Sequence, residues 1–545
     1  MFDLKKVAYS IRGSYLLWAA DENGLILKTM RGGRCRPIFR IALAQGAEVS
    51  FVPWELTART QKGVFRASLY KSEGVFLRGD MPVTVEYCEP QGVYNSNYAL
   101  CEQGGVRIGD VVNNGFTRIT PVRGKVRLSA KSNAGTPESR FLRKCERIAV
   151  SLCPQEGERE FVALLEQFHG ARFAPSAVDA DYEANACAVR RGYEAFIAPY
   201  TEKGADMEES AYILWSNIAP AGGNFADEAM VMSKAGMARV WSWDNCFNAL
   251  ALAGAHFSLS LGQFMLPYRF IDAAGRVPDD VSDSFIEWTH VKPPVQGWTY
   301  RRMMRKDPAF AAADVLSEVY FPVKRNTDWW MNFQGEIPAY LHGNDSGCDN
   351  ATCFDGGVHL ETPELCAFLS EQCLFLSEAA EKLGLHYDVR HYARLSEEFA
   401  RLVSERYFDG QLFCIDADSG KKVYSDALMP LRAVILGNRL PQKLLRAAVD
   451  KLRRHLGECG FSSEALDSPL YMRDGYWRGP AWGSDQIMFG YALREIGETE
   501  LADAAARGYR RAPDKYGYGE NSDPHTGEAF RCRNYCWTAC ARLLL

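Results

Sequence analysis

Two loops far apart in the chain carry acids among glycine, asparagine and serine. One runs Asn344-Asp-Ser-Gly-Cys-Asp-Asn-Ala-Thr-Cys-Phe-Asp355 and holds three acids; the other runs Gly519-Glu-Asn-Ser-Asp-Pro524. Taken singly, such a loop is more often a turn than a catalytic site. Taken together they supply what hydrolysis of a glycosidic bond needs. One carboxylic acid protonates the leaving oxygen, and in an inverting reaction a second carboxylate, roughly 6.5–9.5 Å away, activates water on the opposite face. Such acids have to come from separate loops that converge on one pocket.

The residues around other acids fit the same substrate. Ten of the twelve tryptophans fall between Trp215 and Trp537, many of them beside carboxylates and amides instead of inside apolar stripes. Sugar rings pack their C–H faces on indoles and bond their hydroxyls to Asp, Asn, Gln and Arg. Some of these tryptophans, such as the adjacent Trp329 and Trp330, read as core anchors. Three further segments stand out. Val240-Trp-Ser-Trp-Asp-Asn-Cys-Phe247 opens a small-residue helix, where Asp244 is either a ligand or a partner for the helix dipole. Lys292-Pro-Pro-Val-Gln-Gly-Trp298 holds an extended approach to another helix. Gly475-Tyr-Trp-Arg-Gly-Pro-Ala-Trp482 is the third.

Other chemistries find less support. A net charge of −5 gives no basic excess for nucleic acid or an anionic membrane surface. The sixteen cysteines show no paired C-x-x-C of zinc type, and a chain this long needs no disulfide staples. Cys532, Cys536 and Cys540 recur every four residues, which predicts one buried helix face. The nine histidines show no ligand spacing beyond His386 and His391, ordinary helix positions, so neither metal nor cofactor is expected. The N-terminal apolar run Tyr15–Ala20 is short, no cleavage pattern follows it, and no stretch reaches bilayer length. A cytoplasmic protein acting on a small carbohydrate is the expectation. Nothing in the sequence bears on oligomeric state.

The elements that must position these residues are written in two periods. Up to about Pro175, short β-branched and aromatic runs alternate with turns: Gly24–Thr29, Val64–Tyr70, Val83–Tyr87 and Val126–Ala130, the last before Lys131-Ser132-Asn133. They predict an antiparallel sandwich over residues 1–175, with Phe161–Phe168 beginning a helical connector. From about Asp179 apolar positions recur three and four apart, as in Tyr182–Tyr200, Val315–Phe333, Pro363–Lys382, Tyr392–Tyr407 and Leu440–Leu456. Roughly a dozen helices fit in residues 176–545, and many antiparallel pairs in one large domain imply an (α/α) toroid.

At these segments the sequence resembles bacterial glycoside hydrolase family 63, which includes processing α-glucosidases and mannosylglycerate and glucosylglycerate hydrolases and shares its (α/α)6 barrel with the family 37 trehalases. The family's elements look like Trp241–Phe247, Gly262–Tyr268, Gly275–Asp279, Pro293–Trp298, Ser346–Asn350, Tyr476–Trp482 and Glu520–Pro524 with Thr526-Gly527-Glu528, in that order. The resemblance implies Asp349 as general acid and Glu520 as general base, with inversion and exo-acting release of an α-linked hexose, glucose foremost. It implies a sugar site of Trp243, Asp244, Trp477, Arg478 and Trp482, with Lys292 and Gln296 as weaker members. The acid loop departs from its relatives: Cys348 stands where a tryptophan is usual, and Ala351-Thr352-Cys353 replaces Ser-Pro-Arg. Ser522 stands where the base loop commonly has tyrosine. These changes alter the wall near the cleaved bond and leave the leaving group open. Three alternatives stay open. A disaccharide phosphorylase would replace the second carboxylate by a basic pocket. An epimerase would use a histidine pair such as His342 and His359. A glycan-binding protein would have lost catalysis.

Overall fold

The computed structural model describes the chain except residues 44–45, 89–96, 103, 111–114, 133–144, 170–175, 177–180, 202–206 and 333–336. The expected division at 175/176 and the turn at Asn133 fall outside the described residues. Contacts divide the chain into two compact units. The first holds Met1–Glu202, Trp215–Ala221 and Lys234–Ala238; the second holds Lys203–Leu214, Gly222–Ser233 and Arg239–Leu545.

The first unit is an antiparallel β-sandwich. A seven-stranded sheet takes the order Tyr9–Ser10, Leu16–Asp21, Gly24–Thr29, Arg36–Ala42, Val83–Tyr87, Cys145–Cys153, Lys125–Ser132. An eight-stranded sheet takes the order Tyr98–Glu102, Gly105–Asp110, Gly115–Arg123, Phe161–His169, Gly74–Gly79, Gly63–Tyr70, Glu55–Thr60, Glu48–Val52. The four strands expected from β-branched runs are present. Phe161–His169 is a correction: it is a central strand, paired with Gly115–Arg123 and Gly74–Gly79, not a helical connector. Its first six residues are all buried, so a continuous apolar run carries no period that separates strand from helix. Helix α1 (Tyr182–Thr201) also belongs to this unit, where the Tyr182 hydroxyl donates to Glu55 Oε2 at 2.8 Å.

The second unit is helical. After α2 (Glu208–Ser216) come α3 (Asp244–Leu252), α4 (Phe257–Met265), α5 (Gln296–Lys306), α6 (Ala313–Asn332), α7 (Pro363–Lys382), α8 (His386–Glu405), α9 (Gln442–Arg453), α10 (Gly483–Glu495), α11 (Thr499–Tyr516) and α12 (Cys536–Leu544). Between α8 and α9 lies a long 3₁₀ segment, Met429–Arg439. Helices α3, α5, α7, the Met429–Arg439 segment, α10 and α12 each pack on the next, and α12 closes on α3. That is the inner ring of an (α/α)6 barrel. Every residue of α3 is buried, as are nine of eleven in Met429–Arg439. Outer helices α8, α9 and α11 instead bury a single stripe, so a clean amphipathic period marks the outside of the ring. Cys536 and Cys540 are buried on α12 as expected, whereas Cys532 lies on the strand Ala529–Arg533. Among the described residues no helix is long and apolar enough to cross a membrane.

Inner and outer helices alternate along the chain, so the inner ones all begin at the same mouth of the ring. Asp244 starts α3, Gln296 starts α5, the Asn344–Asp355 loop precedes α7, Trp482 precedes α10, and Glu520 precedes α12.

Candidate active site

Short pairings knit these loops together. Val240–Trp241 pairs with Asp280–Val281, which sets Asp279 beside the start of α3, and Ser242 N–H reaches Asp279 O at 3.4 Å. Ala481 exchanges two backbone bonds with Ser522, at 2.7 and 3.0 Å, tying the segment before α10 to the strand that carries Glu520. Asn350, next to Asp349, donates from Nδ2 to Gly475 O at 3.0 Å and accepts from Trp477 N–H at 2.9 Å. These two bonds flank Tyr476, whose backbone is left-handed at φ 66°. For a non-glycine residue that conformation costs on the order of 1–3 kcal/mol and persists only where neighbours hold it.

The phenol so presented is where the acids meet. Tyr476 lies beside Glu520, and burial first, then the charges of Asp349, Glu520 and Asp244, push its pKa up. Glu520 is held from the other side as well. Its carbonyl accepts from Trp537 Nε1 at 2.6 Å, and Cys532 N–H bonds its carboxylate. Burial raises the Glu520 carboxyl above the usual range, and Asp349 adds to this; the Cys532 amide, Arg531 and the Tyr476 hydroxyl pull the other way. Asp349 is raised by burial and by Asp279, against the pull of Lys292 and His342. Asp244 is raised further, chiefly by burial, with Asp279 and Glu520 adding to it.

Asp349, Glu520, Asp244 and Lys292 therefore lie close enough to act on one another's charge. Lys292 Nζ lies 2.9 Å from Asp279 Oδ1 and 2.8 Å from Asn344 O, and it also bonds Asn344 Oδ1. Its donors anchor the acid loop. Gln296 is buried, donating to Ser242 O at 3.4 Å, and its Oε1 has no hydrogen-bond partner among the described residues. Trp243, Trp477 and Trp482 are only 2%, 2% and 1% exposed. Trp477 stacks on Trp482 with centroids 3.9 Å apart, Trp537 packs edge-on to Trp243 and Trp482, and the buried Arg432 guanidinium lies 5.3 and 5.4 Å from Trp243 and Trp477. These indoles form a floor packed on itself. Arg478 points at the acid loop: Nε donates to Asn350 O at 2.8 Å, and the guanidinium pairs with Asp355.

Sequence reasoning left Tyr476, Asp279, Tyr535, Arg432 and Arg531 without roles. Tyr476 and Asp279 lay inside recognised motifs. Tyr535 is buried near Asp244, Glu520 and Tyr476. Arg432 stands in an apolar 3₁₀ segment, and a lone arginine there signals a buried ion pair, here with Asp485 at 2.7 Å.

Carboxyls gathered round a phenol over a floor of indoles, at the mouth of an (α/α)6 barrel, suit cleavage between sugars, and the class so defined is a glycoside hydrolase. The chain belongs to the mannosylglycerate hydrolase MGH1-like glycoside hydrolases, whose family model matches residues 237–538. No curated protein matches the chain in sequence. Among solved structures, the family 63 mannosylglycerate hydrolase from Thermus thermophilus in complex with glucose is 15% identical. It aligns over 63% of this chain and 99% of its own with a TM-score of 0.55. The same hydrolase with Tris and D-glycerate aligns over 62% and 99% at 16% identity and TM-score 0.52. A bacterial glucoamylase complexed with acarbose, 11% identical, aligns over 99% of this chain and 93% of its own with a TM-score of 0.68.

Proposed function

We propose that the enzyme hydrolyses a terminal α-linked hexose from a small glycoside by an exo-acting, inverting mechanism. Asp349 is the general acid and Glu520 the general base. The observation that carries this reading is the convergence of Asp349 and Glu520 on Tyr476 from two loops, each bonded to the Gly475–Trp482 segment that carries it. Burial favours the protonated form that an acid needs, so Asp349 donates to the glycosidic oxygen as the bond breaks. Glu520 takes a proton from water, which attacks the anomeric carbon from the opposite face. Asp244 and the unpaired Gln296 Oε1 take hydroxyls of the sugar seated over the indole floor. Lys292 and Arg478, their donors engaged by the acid loop, hold Asp349 in place more than they bind sugar.

Glucose and mannose are the first candidates for the released sugar, and glycerate for the leaving group, in keeping with what the Thermus relative is named for and was crystallised with. The test is a panel of 2-O-α-mannosyl- and 2-O-α-glucosyl-D-glycerate with α-linked glucose disaccharides, following the first-formed anomer by proton NMR. Release of the β-anomer is expected, with Asp349→Asn and Glu520→Gln each losing about 10²–10⁴-fold in kcat. A first-formed α-anomer, or either variant turning over at the wild-type rate, would remove the mechanism.

A further inference from the structure

Strand Gly519–Ser522 pairs with Ala529–Arg533 through Gly519 opposite Arg533 and Asn521 opposite Phe530. Glu520 alone therefore faces two residues, Arg531 and Cys532, which is a β-bulge. In such bulges the left-handed position usually falls to glycine. Here it is Arg531, at φ 58°. The bulge has two consequences. It turns the Cys532 N–H onto the Glu520 carboxylate, and it lays the Arg531 guanidinium over the Tyr476 ring, 5.0 Å from its centroid. The guanidinium is fixed there by Asp474, through its carboxylate and, at 3.2 Å, its carbonyl. Two left-handed non-glycine residues, Tyr476 and Arg531, are thus stacked on each other beside one carboxylate.

Resting on the proposed role of Glu520, we infer that Arg531 is a positioning residue whose cation, held over Tyr476 by the bulge, keeps Glu520 ionised to act as the base. The titratable and charged groups facing Glu520 come from four elements. Asp349 comes from the acid loop, Asp244 from the start of α3, Tyr476 from the loop before α10, and Tyr535 and Arg531 from the chain leading into α12. Two cations face the cluster: Lys292 acts on Asp349 and Asp244 while held by Asp279 and Asn344, and Arg531, over the phenol, acts on Glu520. Asp349 and Asp244 both disfavour a third negative charge, and Arg531, stacked on the phenol, offsets them at Glu520. The arrangement separates the two carboxyls into an acid and a base by their neighbours.

The test uses the full-length chain labelled with ¹³C at the glutamate δ carbon, the resonance lost in Glu520→Gln identifying Glu520. In Arg531→Gln and Arg531→Gly the Glu520 titration midpoint is expected to rise by about one pH unit, and in Arg531→Lys to return near the wild-type value. The glycine variant relieves the left-handed backbone while removing the charge, so it separates the two contributions. A midpoint unmoved in the glutamine variant, a wild-type midpoint in the glycine variant, or no return with lysine would each overturn the inference. Glu520→Ala distinguishes this from the mechanism it rests on. Full turnover by that variant would remove the base role and leave the titration result standing.

Discussion

Asn350 is the residue whose loss should most cleanly separate holding the acid in place from holding the protein together. Its side chain makes two bonds to the Gly475–Trp477 backbone, at 3.0 and 2.9 Å, both partly buried. Asn350→Ala removes them, at about 1 kcal/mol each net, so unfolding in urea should register a loss of about 2 kcal/mol. The loop stays tethered through the bond from Arg478 Nε to Asn350 O and through Lys292 to Asn344, so it pivots without coming free. A displacement near 1 Å between Asp349 and the leaving oxygen costs about 10²-fold in rate. The expected result is a fall in kcat of about 30- to 100-fold with KM within threefold, because Asp244, Gln296 and the indole floor are untouched. Asn350→Asp is the partner variant. It keeps an acceptor for Trp477 N–H, loses the donor to Gly475 O, and places a second negative charge beside Asp349. It should lose at least the roughly 1 kcal/mol of the Gly475 bond and shift the basic limb of the pH profile upward. If Asn350→Ala loses the stability but keeps kcat within twofold, the clamp is structural only and the link from Asn350 to Asp349 is wrong. Unchanged stability would refute the bonds themselves.

Gly347, at φ 72° in the acid loop, sits where an added Cβ would lie 2.6 Å from the Trp243 indole. Gly347→Ala should therefore cost about 2–5 kcal/mol in denaturant unfolding, from the left-handed backbone and overpacking together, and should quench or shift Trp243 emission. Arg432 and Asp485 form a pair with both side chains 1% exposed, so Asp485→Ala leaves a buried cation and should lower stability by about 3–5 kcal/mol, read by the same unfolding. Lys292 lowers the Asp349 carboxyl pKa. Lys292→Met should raise it, so the basic limb of kcat/KM, where Asp349 loses its proton, moves to higher pH. A limb that moved to lower pH would show that Lys292 does not face Asp349.

Much of the fold was legible because it is written in period and order. Pro363–Lys382 reads as a helix to the residue, since proline opens it and apolar positions recur on the helical period. Phe161–His169 was not legible, because Phe-Val-Ala-Leu-Leu is buried on both faces and has no period to read. Cys532 fits a helical spacing with Cys536 and Cys540, but the strand paired with Gly519–Ser522 claims it, a tertiary pairing that local spacing cannot report. At the site, motif order brought Asp349, Asp244 and Glu520 to one list, and Arg478 and Lys292 with them. What the list lacked was direction. Whether a guanidinium faces a sugar or its own chain depends on where Asn350 and Asp355 sit, and that is set by folding of the loop. Arg531 left no trace at all, since nothing in Phe-Arg-Cys-Arg marks a bulge.

The two carboxyls show why residue type alone under-determines chemistry. Both lie before inner helices that start at one mouth, and although Glu520 is buried and Asp349 half-buried, desolvation pushes both upward, so composition does not assign acid and base. Their neighbours differ in kind. Asp349 is set against an ammonium already matched by Asp279, whose own carboxyl works against ionisation of Asp349. Glu520 is set against a backbone amide turned by a bulge, a phenol and a guanidinium, all three of which favour its ionised form. Exchanging the two side chains, Asp349→Glu with Glu520→Asp, keeps both acids and both environments. If neighbours assign the roles, the double variant should lose rate through misplacement yet keep β-anomer release and a two-limbed pH profile. Loss of either limb would mean that reach, more than surroundings, sets which carboxyl gives the proton.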